Sequence, residues 1–506
     1  MNLLFDQLFT SNQGSKIFLS FSDKNNELTY DEFLNEVKCM ASRLKTLGLE
    51  KGDSLVLQIE KSHHVFTIYG ACVQIGVIFI PLNTSYTAVE VEYFLNDSEC
   101  KSFITTTNML KDLELQGKKV SCKIETIDAD YSGSFFSDFN ENEPLEIIEK
   151  QDEDDIAAIL YTSGTTGRSK GAMLSQKNLL SNALTLSKSW GFTGSDVLLH
   201  ALPIYHTHGL FVATNIVLVS GSKIRFLRKF NDDDVIVNLP YSTVMMGVPT
   251  FYTRLLANRK FNKETTKNMR LFISGSAPLL KETHEKFEHL TGHKILERYG
   301  MTETNMITSN PYNGERKAGS VGMALKDVKV RVVALEKKRE VLKNGEIGVV
   351  EVLGPNVFKG YWNQPEKTKS EFRDDGFFIT GDMGYLDHDN YLTIVGRNKD
   401  LIITGGLNVY PKEIETIIDT DSNVEESAVI GVSHPDFGEG IVAIIVEKKG
   451  KNIDPEILQE TLQKNLAAFK LPKKIHIIKE LPRNTMGKVQ KNVLRNVYKD
   501  EFRKTS

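Results

Sequence analysis

Residues 161–171, Tyr-Thr-Ser-Gly-Thr-Thr-Gly-Arg-Ser-Lys-Gly, constrain this chain more than any other stretch. They follow the apolar run Ile156–Leu160, which reads as a short buried strand. Glycines at 164, 167 and 171 let backbone N–H groups approach a ligand closely, and a run of such groups forms a concave anion site. Thr162, Ser163, Thr165, Thr166 and Ser169 add hydroxyls, and Lys170 adds charge. The segment Gln176–Ser189 reads as a helix, and its N-terminus is expected to point at the same place. The chemical reading is a polyphosphate clamp. A merely flexible surface loop would need neither the strand before it nor the lysine inside it.

The spacing excludes a Walker loop, which requires Gly, four residues, then Gly-Lys-Ser/Thr. Ser169 stands where that motif has its second glycine, and Gly171 follows the lysine. The segment instead resembles the phosphate loop of the adenylate-forming superfamily, which includes acyl-CoA synthetases, luciferases and peptide-synthetase adenylation domains. The commonest version of that loop has proline before the lysine; this chain has Ser169.

A chain of 506 residues is long enough for two or more domains and a large core. A net charge of −4 gives no reason to expect general nucleic-acid binding. Cys39, Cys72, Cys100 and Cys122 include no Cys-x-x-Cys pair, so neither a zinc site nor a redox motif is indicated, and free thiols in a reducing compartment are expected. Residues 1–10 lack the basic character of a secretory or transit peptide, which favours a cytosolic setting while leaving an organelle open. Val65–Leu82 is the most apolar stretch and is read as a buried core helix rather than a membrane span.

Along the chain, Thr29 is expected to cap a helix running through Leu47, with Gly48 as its stop. Ser54–Ile59 reads as a strand, and Lys101–Lys150 as irregular polar chain. From Ile156 to Gly322 strand and helix patterns alternate, which predicts a largely parallel sheet with flanking helices. Short β runs follow from Val328 to Val395, then a mixed pattern with helices at Pro411–Ile418 and Pro455–Leu466. The expected fold is mixed α/β: a large N-terminal domain, residues 1–397, with parallel-rich sheets and a small β subdomain, and a small α+β C-terminal domain, residues 398–506.

Other stretches carry chemistry. Arg298-Tyr-Gly-Met-Thr-Glu-Thr304 offers an aromatic face at Tyr299, a close approach at Gly300, a hydroxyl at Thr302 and a carboxylate at Glu303 for Mg²⁺, which on a nucleotide wants one or two carboxylates. Ser274-Gly-Ser-Ala-Pro278 is a second tight Gly turn upstream, and the resemblance implies that Ser276, Ala277 and Pro278 bind the nucleotide. Asp382 offers two acceptor oxygens to a ribose. In the superfamily an aspartate in this setting binds ribose, Arg397 matches a second ribose or phosphate contact, and Lys399 matches the hinge between the domains. Lys488 falls in the frame Pro-x-x-x-x-Gly-Lys, where the superfamily carries its adenylation lysine. His206 matches an aromatic-or-histidine position lining the acyl path, and His208 stays unassigned. Taken alone, each of these also reads as an ordinary surface or turn residue; the five motifs in one order carry the resemblance from Tyr161 to Lys488.

What the resemblance implies is a two-step reaction on a mobile small domain. A carboxylate attacks the α-phosphate of Mg-ATP, giving acyl-AMP and pyrophosphate, and the thiol of coenzyme A then displaces AMP. The segments Glu297–Arg316, Gly354–Trp362, Gly405–Lys412 and Asn484–Lys491 look like those of malonyl-CoA synthetases. An independent argument comes from charge. Malonate keeps a second carboxylate after activation, and Arg254 and Arg298 stand where the acyl pocket is expected; arginine suits bidentate carboxylate binding. The expected substrate is malonate, or methylmalonate, with ATP and coenzyme A as co-substrates. The alternatives are an acyl-CoA synthetase for a medium-chain or aromatic acid, or an enzyme that loads a carrier protein. Monomer and homodimer are both open.

Overall fold

The computed structural model describes the chain except residues 12–13, 23–25, 138, 140–142, 163–168, 336–339, 406, 485–486 and 503–506. It divides into two compact units: Met1–Val330 with Val352–Phe378, and Arg331–Glu351 with Ile379–Ser506.

The first unit holds two sheets, both parallel at their centres. In one, the strands Leu296–Met301, Leu271–Ser274, Val244–Gly247, Val197–His200, Lys223–Phe226 and Ile17–Phe21 lie side by side and parallel. Antiparallel strands Asn305–Ser309 and Met323–Ala324 extend one edge, and Glu27–Thr29 the other. In the second sheet Ile156–Thr162, Ile78–Pro81, Ser54–Leu57, Ser102–Thr105 and Lys123–Thr126 are parallel. Strand interiors such as Ser54–Leu57 and Leu271–Ser274 are buried throughout, as a sheet covered on both faces requires. In the expected helix at Thr29, the Thr29 hydroxyl accepts Glu32 N–H while the Glu32 carboxylate accepts Thr29 N–H, a reciprocal cap for Tyr30–Thr46.

The second unit contains most of a four-stranded sheet in which Phe378–Leu386 pairs antiparallel with Leu392–Arg397. It also contains a sheet built on the long hairpin Val424–His434 and Gly438–Glu447, with Lys474–Ile478 parallel to the latter. Both faces of that hairpin are buried. Val429, Ile441 and Ile445 pack with Ile414, Ile418 and Leu462 from the helices Pro411–Ile418 and Pro455–Asn465. Ala428, Ile430 and Ile444 pack with Leu481 and Leu494. The mixed α/β architecture expected from the strand and helix patterns is therefore present.

Three local expectations fail, each for a physical reason. Val65–Leu82 is not one helix. His63–Ile75 ends at Gly76, whose φ of +72° is a left-handed cap and whose missing side chain leaves room for Gln151; the strand Ile78–Pro81 follows. Lys101–Lys150 is not irregular at its start: Ser102–Thr105, the helix Thr107–Leu115 and Lys123–Thr126 make a strand–helix–strand unit too short and too polar to announce itself by periodicity. The helix Gln176–Ser189 does not point at the glycine loop. A strand, Lys170–Ser175, intervenes and runs antiparallel to Ile156–Thr162, so the helix starts beside Ile156, at the far end of the hairpin, under its own cap, Ser175. Among the described residues no helix is long and apolar enough to cross a membrane, and none of the four cysteines forms a disulfide.

Candidate active site

The parallel strands of the larger sheet send their carboxyl ends to one edge, which is where open α/β sheets bind ligands. Val197–His200 leads to Pro203–Gly209, Leu271–Ser274 to Gly275–Pro278, and Leu296–Met301 carries Arg298, Tyr299 and Gly300. Val244–Gly247 leads to the helix Pro249–Ala257 with Arg254.

At the hairpin of the other sheet, Thr162 pairs with Lys170. Ser163, Gly164, Thr165, Thr166 and Gly167 lie outside the described residues. Lys170 is half-buried, and its ammonium sits 4.2 Å from the centroid of the Tyr361 ring. The Tyr361 hydroxyl donates to Glu303 Oε1 at 3.0 Å. Burial first, then Lys367, lowers the Lys170 pKa, while Glu371 and Glu303 oppose that shift. Glu303 is buried in the turn between Leu296–Met301 and Asn305–Ser309, where its carbonyl accepts Phe358 N–H. Thr302 and Tyr299 are half-buried on the same hairpin. Gly300 admits no side chain, since a β-carbon there would lie 1.9 Å from the Asn305 carbonyl oxygen. The structure thus brings together Lys170 and Glu303, separated by more than a hundred residues, through Tyr361, a residue with no assigned role in the sequence reading. A ring sandwiched between a cation and an acid is invisible to motif spacing.

A second group surrounds Arg298. Its side chain is only 2 % exposed, and neither Nε nor Nη2 has a hydrogen-bond partner among the described residues. Burial pushes its pKa down from 12.5 to about 9. The guanidinium lies against Gly275, the residue after the buried Ser274. Ser276 adopts a left-handed φ of +71°, which turns its hydroxyl to within 3.2 Å of His208 Nδ1. His208 is buried, its Nε2 has no hydrogen-bond partner among the described residues, and burial, then the charge of Arg298, holds its pKa well below the usual imidazole value. Its backbone N–H donates to His206 Nδ1 at 3.2 Å. His208, unassigned by spacing, therefore belongs beside Arg298. Ala277 is half-buried and Pro278 exposed in the same turn. Arg254 is placed differently: on Pro249–Ala257 it is exposed, while Tyr252 and Leu255 face the core.

In the second unit, Asp382 and Arg397 are directly opposite each other across the hairpin, with Nε 2.6 Å from Oδ1. Asp382 is buried and its N–H donates to the Thr380 hydroxyl. Lys399 is exposed on the single turn Asn398–Asp400. Lys488 is exposed and follows Gly487, whose φ is +74°.

Comparison with known proteins gives a consistent picture. The family model described as AMP-binding enzyme matches residues 7–362, and that described as AMP-binding enzyme C-terminal domain matches residues 413–488. A malonate–CoA ligase of Arabidopsis thaliana is 35% identical over 463 residues, covering 83% of this chain and 74% of that protein. A long-chain-fatty-acid–CoA ligase of Bacillus subtilis is 32% identical over 510 residues, covering 94% and 90%. The crystal structure of ATP-bound MatB from Rhodopseudomonas palustris is 51% identical with a TM-score of 0.95, covering 99% of this chain and 100% of that one.

Proposed function

We propose that this chain, which belongs to the AMP-binding enzyme family, is an AMP-forming acid–thiol ligase that converts malonate and coenzyme A to malonyl-CoA using ATP. Relatives at similar identity act on malonate and on long-chain fatty acids, so overall similarity to them does not single out the acid. The observation that carries the choice is Arg298. Burying a guanidinium without an anion is costly, and a drop from 12.5 to about 9 corresponds to roughly 5 kcal/mol against the charged form. A substrate that brings its own second carboxylate offsets that cost; a fatty chain would leave the cation stranded. The likeness to ATP-bound MatB over the whole chain supports ATP as the co-substrate.

In this reading Arg298 holds the carboxylate that does not react, with His208 and Ser276 lining the same pocket and His206 beside them. The other carboxylate attacks the α-phosphate of ATP. Lys170 and the loop 163–167 take the phosphates, Tyr299 the adenine with Ser276, Ala277 and Pro278, and Asp382 and Arg397 the ribose. Glu303 is the acid available for Mg²⁺: one oxygen serves Tyr361, and an ion that keeps most of its waters needs few protein ligands. Bound there, Mg²⁺ would neutralise phosphate charge. Lys488 serves the first half-reaction only, the small domain moving about Lys399 before the thiol of coenzyme A attacks. We include Arg254 as an outer contact for the free carboxylate. The testing experiment is a panel of mono- and dicarboxylates scored by AMP formation with coenzyme A present. Malonate is expected to exceed butyrate by as much as ~10⁴, because a site that pairs a buried polar group rejects analogues lacking it. Equal rates for the two acids would overturn the assignment.

A further inference from the structure

We propose that Arg483 and Lys491 are positioning residues for Lys488, fixing its backbone through ion pairs to two different elements of the C-terminal sheet domain. The inference rests on the reading of Lys488 as the adenylation cation. An exposed lysine on a free arm would have to be ordered anew in every turnover, and ordering a backbone costs conformational entropy. The segment around Lys488 is not free. Asn484 N–H donates to the Lys488 carbonyl at 2.9 Å, and the Asn484 side chain accepts Lys488 N–H at 2.9 Å. Gln490 N–H donates to the Pro482 carbonyl, and Arg483 bridges Val489 antiparallel, which closes the turn.

Arg483 acts at both ends of a short chain of contacts. One guanidinium nitrogen donates to the carbonyl of Gly487, the residue before Lys488, at 2.5 Å. The other pairs with Glu426 on the strand Val424–His434. Planar, forked donors allow both at once, which an ammonium cannot reproduce with the same geometry. On the far side, Lys491 Nζ donates at 2.5 Å to Glu415 Oε1 on the helix Pro411–Ile418, and the same oxygen accepts Val429 N–H at 2.9 Å. Glu415 is buried, so this pair is anchored in the core. Leu481 and Leu494, both buried, bracket the whole segment. The charges of Arg483 and Lys491 are committed to these contacts, and their effect passes through the Lys488 main chain.

The test measures the two half-reactions separately on the full-length enzyme: malonate-dependent ATP–pyrophosphate exchange, and malonyl-CoA formation from supplied malonyl-AMP. Arg483→Leu and Lys491→Met are each expected to lower exchange by about tenfold or more, since small misplacements of a reacting group carry such losses. The KM values for ATP and malonate and the thioester step should stay within about twofold. Arg483→Lys should recover part of the loss by pairing with Glu426 again. In a Lys488→Ala background, Arg483→Leu should cause no further loss in exchange, because residues acting through one group are not additive. The positioning role is overturned by unchanged exchange, by equal losses in both half-reactions, or by additive losses in the double variant. Should Lys488→Ala itself depress both half-reactions alike, the reading of Lys488 fails and takes the inference with it; if Lys488→Ala is selective and Arg483→Leu is not, only the inference fails.

Discussion

The guanidinium of Arg298 occupies the space that a side chain on Gly275 would need. A β-carbon on Gly275 would lie 2.4 Å from Arg298 Cζ and 2.5 Å from Nη1. Gly275 follows the end of the strand Leu271–Ser274, so the turn is anchored in the sheet and the arginine must move instead. Gly275→Ala is therefore expected to lower kcat/KM for malonate by roughly 10²-fold, the scale for misplacing a positioning group by about an ångström. The KM for ATP should change little. Wild-type malonate kinetics in Gly275→Ala would mean that the guanidinium has room to shift without consequence, and would weaken its assignment to the substrate.

Glu303 and Lys170 communicate through Tyr361, whose hydroxyl donates to Glu303 and whose ring carries the Lys170 ammonium. A hydrogen bond to a charged group contributes about 1.5–3 kcal/mol. Tyr361→Phe should thus reduce pyrophosphate exchange by roughly 10–10²-fold at fixed Mg²⁺, each 1.36 kcal/mol being about tenfold. Glu303→Gln keeps the shape and removes the charge, so it should raise the Mg²⁺ concentration needed for half-maximal exchange. A Mg²⁺ titration identical to wild type would take Glu303 out of the metal site.

Much of this site was legible as residue type and order, and little of it as depth. The Thr29 cap, the strand before the glycine loop and the exact helix Pro411–Ile418 follow from local rules that tertiary structure did not override. Arg254 and Arg298 look alike in sequence. They separate only because Arg298 is on a buried strand and Arg254 on the outer face of a helix whose inner face holds Tyr252 and Leu255. Tyr361 and His208 were missed as contributors because their partners are distant in the chain: Glu303 and Lys170 for one, Ser276 and Arg298 for the other. The Asp382–Arg397 pair was legible as two motif residues, but their cross-strand register was not.

Acid stability follows from three imidazoles, His200 and His208 buried and His64 half-buried. Burial, then Lys61, pushes the His200 pKa down to about 3; burial, then His63, does the same to His64, also to about 3; His208 is held well below 6.5. In the unfolded chain each titrates near 6.5. Below that pH the unfolded state binds protons that the folded state refuses, so the contribution is fully present above 6.5 and is lost on acidification toward pH 3. Each histidine adds up to about 1.4 kcal/mol per pH unit to the slope. The histidine contribution to the thermal midpoint should be flat near pH 7–8 and fall between roughly pH 6 and 4. His200 Nε2 donates to the Gly209 carbonyl and Nδ1 accepts from Lys61, a pattern that glutamine can reproduce. His200→Gln should therefore make the acid slope shallower, and an unchanged slope would mean that His200 takes up its proton within the fold.

The sharpest test of the substrate sets Arg298→Met against Arg254→Met on malonate and butyrate. Removing a buried cation from a bound anion costs about 3–5 kcal/mol. That corresponds to a fall of roughly 10²–10³ or more in kcat/KM for malonate with Arg298→Met. Butyrate has no second charge, so its weak turnover should hold or rise. Arg254 is exposed, and an exposed pair contributes about 1 kcal/mol at most, so Arg254→Met should move the malonate-to-butyrate ratio by less than about tenfold. Stability should move the other way. Among the described residues Arg298 is buried without a partner for Nε or Nη2, and replacing it by an apolar side chain of similar length removes the cost of burying that charge. The ligand-free Arg298→Met enzyme is expected to melt at or above the wild-type temperature, and malonate should no longer raise its midpoint. An unchanged specificity ratio in Arg298→Met would remove the chemical support for malonate, and a large change in Arg254→Met alone would move the free carboxylate to the outer helix.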